Sequence, residues 1–546
     1  MSPGRLSIFS LLGLCAAASA QSNTIPGLDL RLEATWALAA FQRAGAYPTG
    51  RSAIGVWTTC CNPGTVQIPF QAAMNPNHGF IHYMIARQRN GRLEQISDWS
   101  YVKHTFGSSN DPSSCGSCAG PGNFNFVEVG CADTYANNQA VDHFNLGPPD
   151  EIDPWLGTWV PQCSYFDRGN PPVGPGQICD GVRSLDYGQA INLNAGVHHQ
   201  MQVRDADLDL PWWEALYYWQ AGYLVPHEAE ANRGDNIAST QFTPTWNGTA
   251  WTFFEGPNLV HGSILQRWEG ATITSNTNGA DDGRFYVGAK VTGPVNGLWH
   301  YEYAIHNRDN HRGLGALRIP VCQAARVQNL GFRDLDQDPL NDWLGSKVGG
   351  EIVWSTNGNP LHWNSIFNFW FDSDAAPAPG ATLSLDQYSI GPGALTVAVL
   401  GTAPVGLYDQ DLGPGCGSPS TPILFADGTP QRATIGNSSF ALRSAGNPAG
   451  VACGFVLTTT PGTTALGGGC TLYSATWSGL LGPFMVVSDA GGVGTMPLAI
   501  PNDPAFEGLD LDVQAANILG GGAYLGSFNL SNGLRIRIGS LIAGCP

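Results

Sequence analysis

Glycine and proline interrupt this chain too often for long helices to form. Its 546 residues include 70 glycines and 38 prolines, and both residue types break helices and mark turns. Between them stand short apolar runs of strand length, such as residues 422–425 and 484–487. Hydrophobic residues still make up 43% of the chain. The composition therefore excludes disorder and predicts a mostly β protein of roughly two to four domains.

The charge balance excludes one class of partner. The chain has 25 Lys and Arg against 43 Asp and Glu, a net charge of −18, which repels phosphate backbones, so we expect no nucleic-acid partner. The strictly spaced motifs of serine hydrolases, zinc proteases and nucleotide-binding loops are absent from the sequence.

The first residues have the features of an export signal. Arg5 precedes an apolar run at 6–18, and Ala18-Ser19-Ala20 stands before Gln21 as a small-x-small cleavage site. Residues 1–20 are therefore predicted to be a signal peptide, and the mature protein to be secreted or on the cell surface. No later apolar stretch reaches about 18 residues, so no membrane span is expected.

The cysteine count favours disulfides. Cleavage at Ala20 removes Cys15 and leaves 12 cysteines, an even number in an oxidising compartment. All of them are predicted to be disulfide-bonded: Cys60, Cys61, Cys115, Cys118, Cys131, Cys163, Cys179, Cys322, Cys416, Cys453, Cys470 and Cys545. A zinc site of Cys61, Cys115, Cys118 and Cys131 is the alternative, since Cys115-Gly-Ser-Cys118 is a C-x-x-C pair.

Composition divides the chain near residue 375. All 12 histidines, all three lysines and 16 of the 17 tryptophans lie before that point. We predict a β region at 21–375 of one or two sandwiches, a Pro/Gly/Ala-rich joint at 376–412, and a smaller C-terminal β-sandwich at 413–546 for attachment or spacing.

Residue periodicity predicts particular elements. Alternation at 79–87, 299–307 and 364–372 predicts strands. Residues 28–44 are predicted to form one short amphipathic N-terminal helix that Gly45 and Pro48 stop, because Leu30, Leu32, Trp36, Leu38, Ala39 and Phe41 fit a helical stripe.

Three histidines are the predicted metal ligands. His78, His104 and His199 each stand at the end of a predicted strand or at a turn, where side chains from distant segments can converge. Neutral imidazoles are ligands for copper or zinc. The alternative is that each ring is packed or hydrogen-bonded as an ordinary structural residue.

The acidic segment at 334–338 resembles the start of a calcium loop. Asp334, Asp336 and Asp338 alternate as calcium ligands do, but Pro339 stands where a glycine is expected and no glutamate follows at the twelfth position. A solvated acidic loop is the alternative.

A cluster of aromatic residues follows at 212–219. Trp212, Trp213, Tyr217, Tyr218 and Trp219 suit either a stacking platform for sugar rings or a packed core.

Several short patterns resemble an uncharacterised family of large exported bacterial proteins, over roughly residues 50 to 400. They lie at 58–62, 77–78, 91–96, 99–106, 115–118, 130–131, 199–207 and 299–303. Cys60, Gly79 and Thr105 replace the family's Ser, Pro and Gly at their positions. The 413–546 region is similar to a Gly-rich, Cys-paired domain that recurs at the C-terminus of exported proteins. The resemblance implies export, two parts and the chosen cysteines and histidines, and it supplies no activity.

The leading interpretation is a secreted, disulfide-braced protein that binds an extracellular polymer or surface ligand, with a His-lined transition-metal site. One alternative is a metal-dependent enzyme, a copper oxidase or a hydrolase, acting on such a polymer, with Glu94 or Asp205 positioning a water. A purely structural surface component is the third. The sequence alone does not decide whether the protein is a binding protein or an enzyme.

Overall fold

The computed structural model describes residues 24–69, 71–105, 109–118, 120, 125–168, 178–193, 196–279, 283–296, 298–322, 325–356, 358–405, 409–426, 433–506 and 508–539. The predicted signal peptide, Cys15 and Cys545 lie outside these ranges. Strands make up 51% and helices 6% of the structure, so the predicted mostly β class is confirmed.

The first part of the chain forms two large antiparallel sheets and two small sheets of two strands each. Its strands are β1 (Arg31–Ala44), β2 (Arg51–Cys61), β3 (Ile68–Pro69), β4 (Phe80–Arg89), β5 (Arg92–Gln95), β6 (Val102–His104), β7 (Asp111–Pro112), β8 (Phe126–Val127), β9 (Cys131–Tyr135), β10 (Leu146–Gly147), β11 (Ile152–Asp153), β12 (Thr158–Trp159), β13 (Gln202–Arg204), β14 (Ala215–Leu224), β15 (Ile237–Trp246) and β16 (Trp251–His261). One sheet has the order β1-β2-β9-β7 with β13 on β2, and the other has the order β10-β6-β4-β14-β15-β16 with β5 on β4. Between them Leu32, Ile54, Ile85 and Trp219 form the core of what we call the first sandwich.

The second sandwich uses the next ten strands. They are β17 (Thr272–Thr277), β18 (Arg284–Val295), β19 (Leu298–Asn307), β20 (Leu314–Pro320), β21 (Val327–Arg333), β22 (Leu344–Val348), β23 (Glu351–Ser355), β24 (Ser365–Ser373), β25 (Ala378–Gln387) and β26 (Thr396–Ala403). The sheet orders are β17-β18-β19-β24-β21 and β22-β23-β20-β25-β26. Tyr303, Phe369 and Trp354 fill the core between them.

The third sandwich uses the last ten strands of the described residues. Its strands are β27 (Asp409–Gly413), β28 (Ile423–Ala426), β29 (Ala441–Ala445), β30 (Ala452–Thr458), β31 (Thr464–Gly467), β32 (Cys470–Leu472), β33 (Leu481–Val487), β34 (Gly494–Pro497), β35 (Asp510–Gly522) and β36 (Gly526–Arg537). A five-stranded sheet, β27-β36-β35-β30-β33, faces the sheet β28-β29-β34. Phe455, Leu442 and Val513 lie in its core.

Helices in the described part are short. They are α1 (Tyr165–Arg168), α2 (Tyr187–Leu193) and α3 (Asp205–Leu208), with 3-10 turns at Asn137–Val141, Pro149–Glu151, Ile264–Arg267, Trp477–Gly479 and Pro504–Phe506.

The helix predicted at 28–44 is wrong, because most of this segment is strand β1. β1 pairs antiparallel with β2, and its register shifts between Leu32 and Ala34, between Trp36 and Ala39, and between Ala40 and Gln42. Each irregularity breaks the strict alternation of inward side chains. The apolar spacing then looks helical, although the segment is an extended strand.

The segment predicted as a joint, 376–412, is mostly strand. β25 and β26 occupy much of it, and Leu383, Leu385 and Val397 are buried in the second core. These residues belong to the second sandwich. The alanines and glycines that suggested a linker lie between buried apolar residues of a paired strand.

The first and second sandwiches are joined by a shared cluster. Met84 and Leu93 of the first pack with Ala304 and Ile366 of the second. Hydrogen bonds cross the same boundary: the Ile366 N–H donates to Gln95 Oε1 at 2.9 Å, and Asn368 Nδ2 donates to the Leu93 carbonyl at 2.9 Å.

Disulfides brace the first and third sandwiches. The described pairs are Cys61–Cys115, Cys118–Cys131, Cys163–Cys179 and Cys416–Cys470, and Cys322 is also disulfide-bonded. All four cysteines of the alternative zinc site are thus bonded in two disulfides.

Two cysteines predicted to be disulfide-bonded are free thiols. Cys60 and Cys453 are both buried and unbonded. Successive residues of a strand point to opposite faces, so Cys60 enters the first core while Cys61 reaches Cys115. Cys453 lies in the third core. The even number of cysteines therefore does not mean that every cysteine forms a disulfide.

Candidate ligand-binding cleft

Two of the three predicted metal ligands contact each other. His78 and His104 lie side by side, with His78 Nε2 and His104 Nδ1 hydrogen-bonded at 2.9 Å. Trp159 and Phe166 pack around the His104 ring. Burial lowers the pKa of His78 to about 3 and the pKa of His104 well below its usual value, so both rings are neutral at physiological pH.

The predicted three-histidine site is not formed. His199 stacks on Tyr101, with ring centroids 3.9 Å apart. Among the described residues, no group of three or more His, Cys, Asp or Glu side chains could hold a metal ion. His78 Nε2 and His104 Nδ1 are bonded to each other, and His104 Nε2 is buried without a hydrogen-bond partner among the described residues.

The carboxylates proposed to position a water are already engaged. Glu94 forms ion pairs with Arg87 and Arg333, and Asp205 pairs with Arg43. Neither is free to assist chemistry at the histidines.

The acidic loop is organised by its own hydrogen bonds. Asp334, Asp336 and Asp338 each accept a backbone N–H two residues ahead. Asn359 also donates to Asp334, at 2.6 Å. The structure does not support the predicted calcium loop, since the described residues hold no group of three or more His, Cys, Asp or Glu side chains that could bind a metal ion.

The predicted aromatic cluster is split in two. Trp212 and Trp213 are exposed, with rings at an interplanar angle of 84°. Tyr217, Tyr218 and Trp219 are buried. Because the exposed rings are nearly perpendicular, they do not present one flat face to a sugar.

A cleft with both polar and apolar lining residues opens where the first and second sandwiches meet. We call it the inter-sandwich cleft. Its cavity is about 320 Å³, within the usual range for ligand pockets. Its lining includes Arg51, Asp98, Trp99, Gln202 and Arg204 from the first sandwich, and Asp334, Asp336, Asn359 and His362 from the second.

An aromatic stack crosses one side of this cleft. Trp99 and His362 lie nearly parallel, with centroids 4.0 Å apart and planes 8° apart. The Trp99 indole N–H donates to the carbonyl of Trp363 at 2.9 Å. Because the two rings come from different sandwiches, their stacking fixes the position of the indole relative to both walls.

Asp98 is the most perturbed carboxyl in the cleft. Burial raises its pKa to about 7, while the donors of Gln202 and the charge of Arg51 favour the ionised form. The Gln202 backbone N–H donates to Oδ1 at 2.8 Å, and Gln202 Nε2 donates to Oδ2 at 3.1 Å. A carboxyl that accepts hydrogen bonds at both oxygens and has a pKa near 7 is typical of ligand-binding and catalytic sites.

The cleft carries both signs of charge. Arg51 and Arg204 stand on one wall, and Asp334 and Asp336 on the other. Arg204 pairs with Asp207, its Nη2 2.6 Å from the carboxylate. Such a lining offers both donors and acceptors, so it suits a ligand rich in hydroxyl groups better than one of a single strong charge.

Sequence reasoning missed this site. Asp98 and Trp99 are adjacent, but nothing in the sequence places them beside the acidic loop of a different sandwich. The loop itself was noticed, and its carboxylates were interpreted as calcium ligands.

No protein-family model matches this chain, and no curated protein matches it. Among solved structures, the chain is similar to a variant of BcpA, the major pilin subunit of Bacillus cereus, at 11% identity over 61% of this chain and 81% of that one, with a TM-score of 0.16. A three-domain backbone pilin of Streptococcus pyogenes is similar at 8% identity over 85% and 79%, with a TM-score of 0.17. Folds that superpose this poorly carry no argument about this chain.

No helix in the described residues is long and apolar enough to cross a membrane.

Proposed function

We propose that the protein is an exported, disulfide-braced binding protein whose inter-sandwich cleft takes a carbohydrate segment of an extracellular polymer. Disulfides support the extracellular setting, because they persist where thiols are oxidised. The observation that carries the ligand class is the Trp99 indole, held by His362 beside carboxyl and guanidinium groups.

Sugar recognition combines the two kinds of contact that this lining provides. The C–H faces of a sugar ring pack against an indole. Vicinal hydroxyls donate to carboxylates such as Asp98 and accept from guanidiniums such as Arg204. No metal takes part in this proposal, and it uses neither His78 nor His104.

Retention on polymers tests the proposal. The mature protein is passed through gels or columns that contain soluble or insoluble polysaccharides of different linkage. We expect at least one to retain the wild type, and Trp99→Ala to weaken retention at least tenfold, since an apolar stacking surface is lost. Trp212→Ala is the matched control, an exposed tryptophan outside the cleft lining, and should bind as the wild type does. Equal binding by both variants would contradict the proposal.

Hydrolysis of the same polymer is the second candidate, and the perturbed pKa of Asp98 favours it. A carboxyl with a pKa near 7 can donate a proton to the leaving oxygen as the glycosidic bond breaks. Water then adds to the sugar carbon, and the proton that it loses returns to the Asp98 carboxylate. Release of new reducing ends by the wild type, lost in Asp98→Asn, would establish this activity. Retention without release would leave binding alone as the function.

A further inference from the structure

Every residue of strand β5 contacts the second sandwich. The four contacts, two ion pairs and two hydrogen bonds, are Arg92 with Glu302, Leu93 with Asn368, Glu94 with Arg333, and Gln95 with Ile366. Among the described residues, the contact of Glu94 differs from the others, because it continues through charged side chains to the lining of the inter-sandwich cleft.

Five side chains of alternating charge make this connection. One carboxylate oxygen of Glu94 accepts from Arg87 Nη2 at 2.5 Å and from Arg87 Nε at 3.0 Å. Its other oxygen lies 2.9 Å from Arg333 Nε. Arg87 Nη1 donates to the Asp207 carbonyl at 2.9 Å and lies 3.3 Å from the Asp207 carboxylate. Arg204 Nε donates to that carboxylate at 2.7 Å. We call these five side chains the charge row.

The centre of the charge row is buried and its ends are partly exposed. The side chains of Arg87, Glu94 and Asp207 are 6%, 8% and 10% exposed. Those of Arg333 and Arg204 are 30% and 28% exposed. Buried charges interact strongly and are costly to leave unpaired, so a change at one buried member is felt by its neighbours in the row.

Both ends of the charge row stand at the cleft. Arg204 lines the wall that the first sandwich contributes. Arg333 is the last residue of β21, and Asp334, which follows it directly, lines the opposite wall. The charge row therefore connects the two walls of the cleft through the interior of the first sandwich.

We infer that Glu94 is a positioning residue of the inter-sandwich cleft, which anchors Arg333 with one oxygen and sets the position of Arg204 through Arg87 and Asp207. This inference rests on the proposed function, in which Arg204 donates to a sugar hydroxyl. Without the Glu94 charge, Asp207 is the anionic partner that remains to Arg87 among the described residues. The Asp207 carboxylate is then drawn toward Arg87 and away from Arg204.

A double-mutant cycle tests the inference, with an oligosaccharide from the polymer that retains the protein. Glu94→Gln and Arg204→Gln should each weaken binding at least fivefold. The double variant should bind about as well as Arg204→Gln alone, because the Glu94 charge acts through Arg204. A merely structural Glu94 would give fold-changes that multiply in the double variant. That result, or wild-type binding by Glu94→Gln, would overturn the inference.

Arg333→Gln tests the other end of the charge row if Glu94→Gln does not fold. It removes a partly exposed side chain, and it should weaken binding at least threefold, because the wall that begins at Asp334 loses its charged anchor. Arg284→Gln is the matched control. Arg284 also pairs across the two sandwiches, with Glu230 at 2.7 Å, and it is outside the cleft lining. Equal binding by the two variants would overturn the inference.

The wild type separates this inference from the cleft proposal. If the wild type binds the oligosaccharide and Trp99→Ala does not, but the cycle shows no coupling, only the role of Glu94 is overturned. If the wild type binds no oligosaccharide, the cleft proposal fails, and the role of Glu94 is overturned with it.

Discussion

Burial sets the protonation of individual side chains in the first sandwich. It lowers the pKa of His82 to about 4, so this ring is neutral, and its Nδ1–H donates to Asn364 Oδ1 at 2.8 Å. It raises the pKa of Glu228 to about 8. Glu228 Oε1 accepts the Leu30 N–H at 2.9 Å, and the other oxygen accepts from Asn236. The carboxyl is thus a largely protonated structural group at neutral pH.

Glu228→Gln should make the protein less sensitive to alkaline pH. The folded state keeps the Glu228 proton up to about pH 8, whereas the unfolded chain loses it near its ordinary value, so wild-type stability falls as pH rises through this window. Glutamine carries no proton to lose. From pH 5 to pH 9 we expect the free energy of unfolding of the variant to rise relative to that of the wild type by roughly 4 kcal/mol. Urea unfolding at several pH values measures this, with exposed Glu214→Gln as control. Parallel curves for the variant and the wild type would refute it.

At the scale of elements, periodicity predicted some strands well and failed at others. The segments at 79–87, 299–307 and 364–372 are β4, β19 and β24, because regular pairing preserves their alternation. β1 was missed since the register shifts in its pairing with β2 interrupt the alternation of its side chains. The cleft was beyond prediction for a similar reason, because packing of two sandwiches brings Trp99 to His362.

The disulfide at the end of β2 should contribute more stability than the one near α1. Cys61–Cys115 spans a sequence separation of 54, against 16 for Cys163–Cys179. Closing the longer loop restricts the unfolded chain more, by about 1 kcal/mol in the chain-entropy model. Removing each pair by double alanine substitution should cost roughly 2–4 kcal/mol, with the greater loss for Cys61 and Cys115. Chemical denaturation measures both, and an equal or reversed order would contradict this account.

At the scale of the whole molecule, the first two sandwiches are expected to unfold together. Ile366 is buried in the cluster that they share, and its N–H is held by Gln95. Ile366→Ala should lower the free energy of unfolding by roughly 2–4 kcal/mol without splitting the transition of these two sandwiches. Leu344→Ala, an exposed position on β22, should change it by less than about 0.5 kcal/mol. Fluorescence and circular dichroism report the transition. Separate unfolding of the two sandwiches in the wild type would show that the cluster does not couple them.

The cleft between these sandwiches is the basis of the proposed function, and a crystal structure of the complex tests it most directly. Crystals of the mature protein are soaked with an oligosaccharide from the polymer that retains it. The account predicts a sugar ring against Trp99, with hydroxyls bonded to Asp98 and Arg204, and no density in crystals of Trp99→Ala. An oligosaccharide bound elsewhere, with the cleft empty, would contradict the central claim.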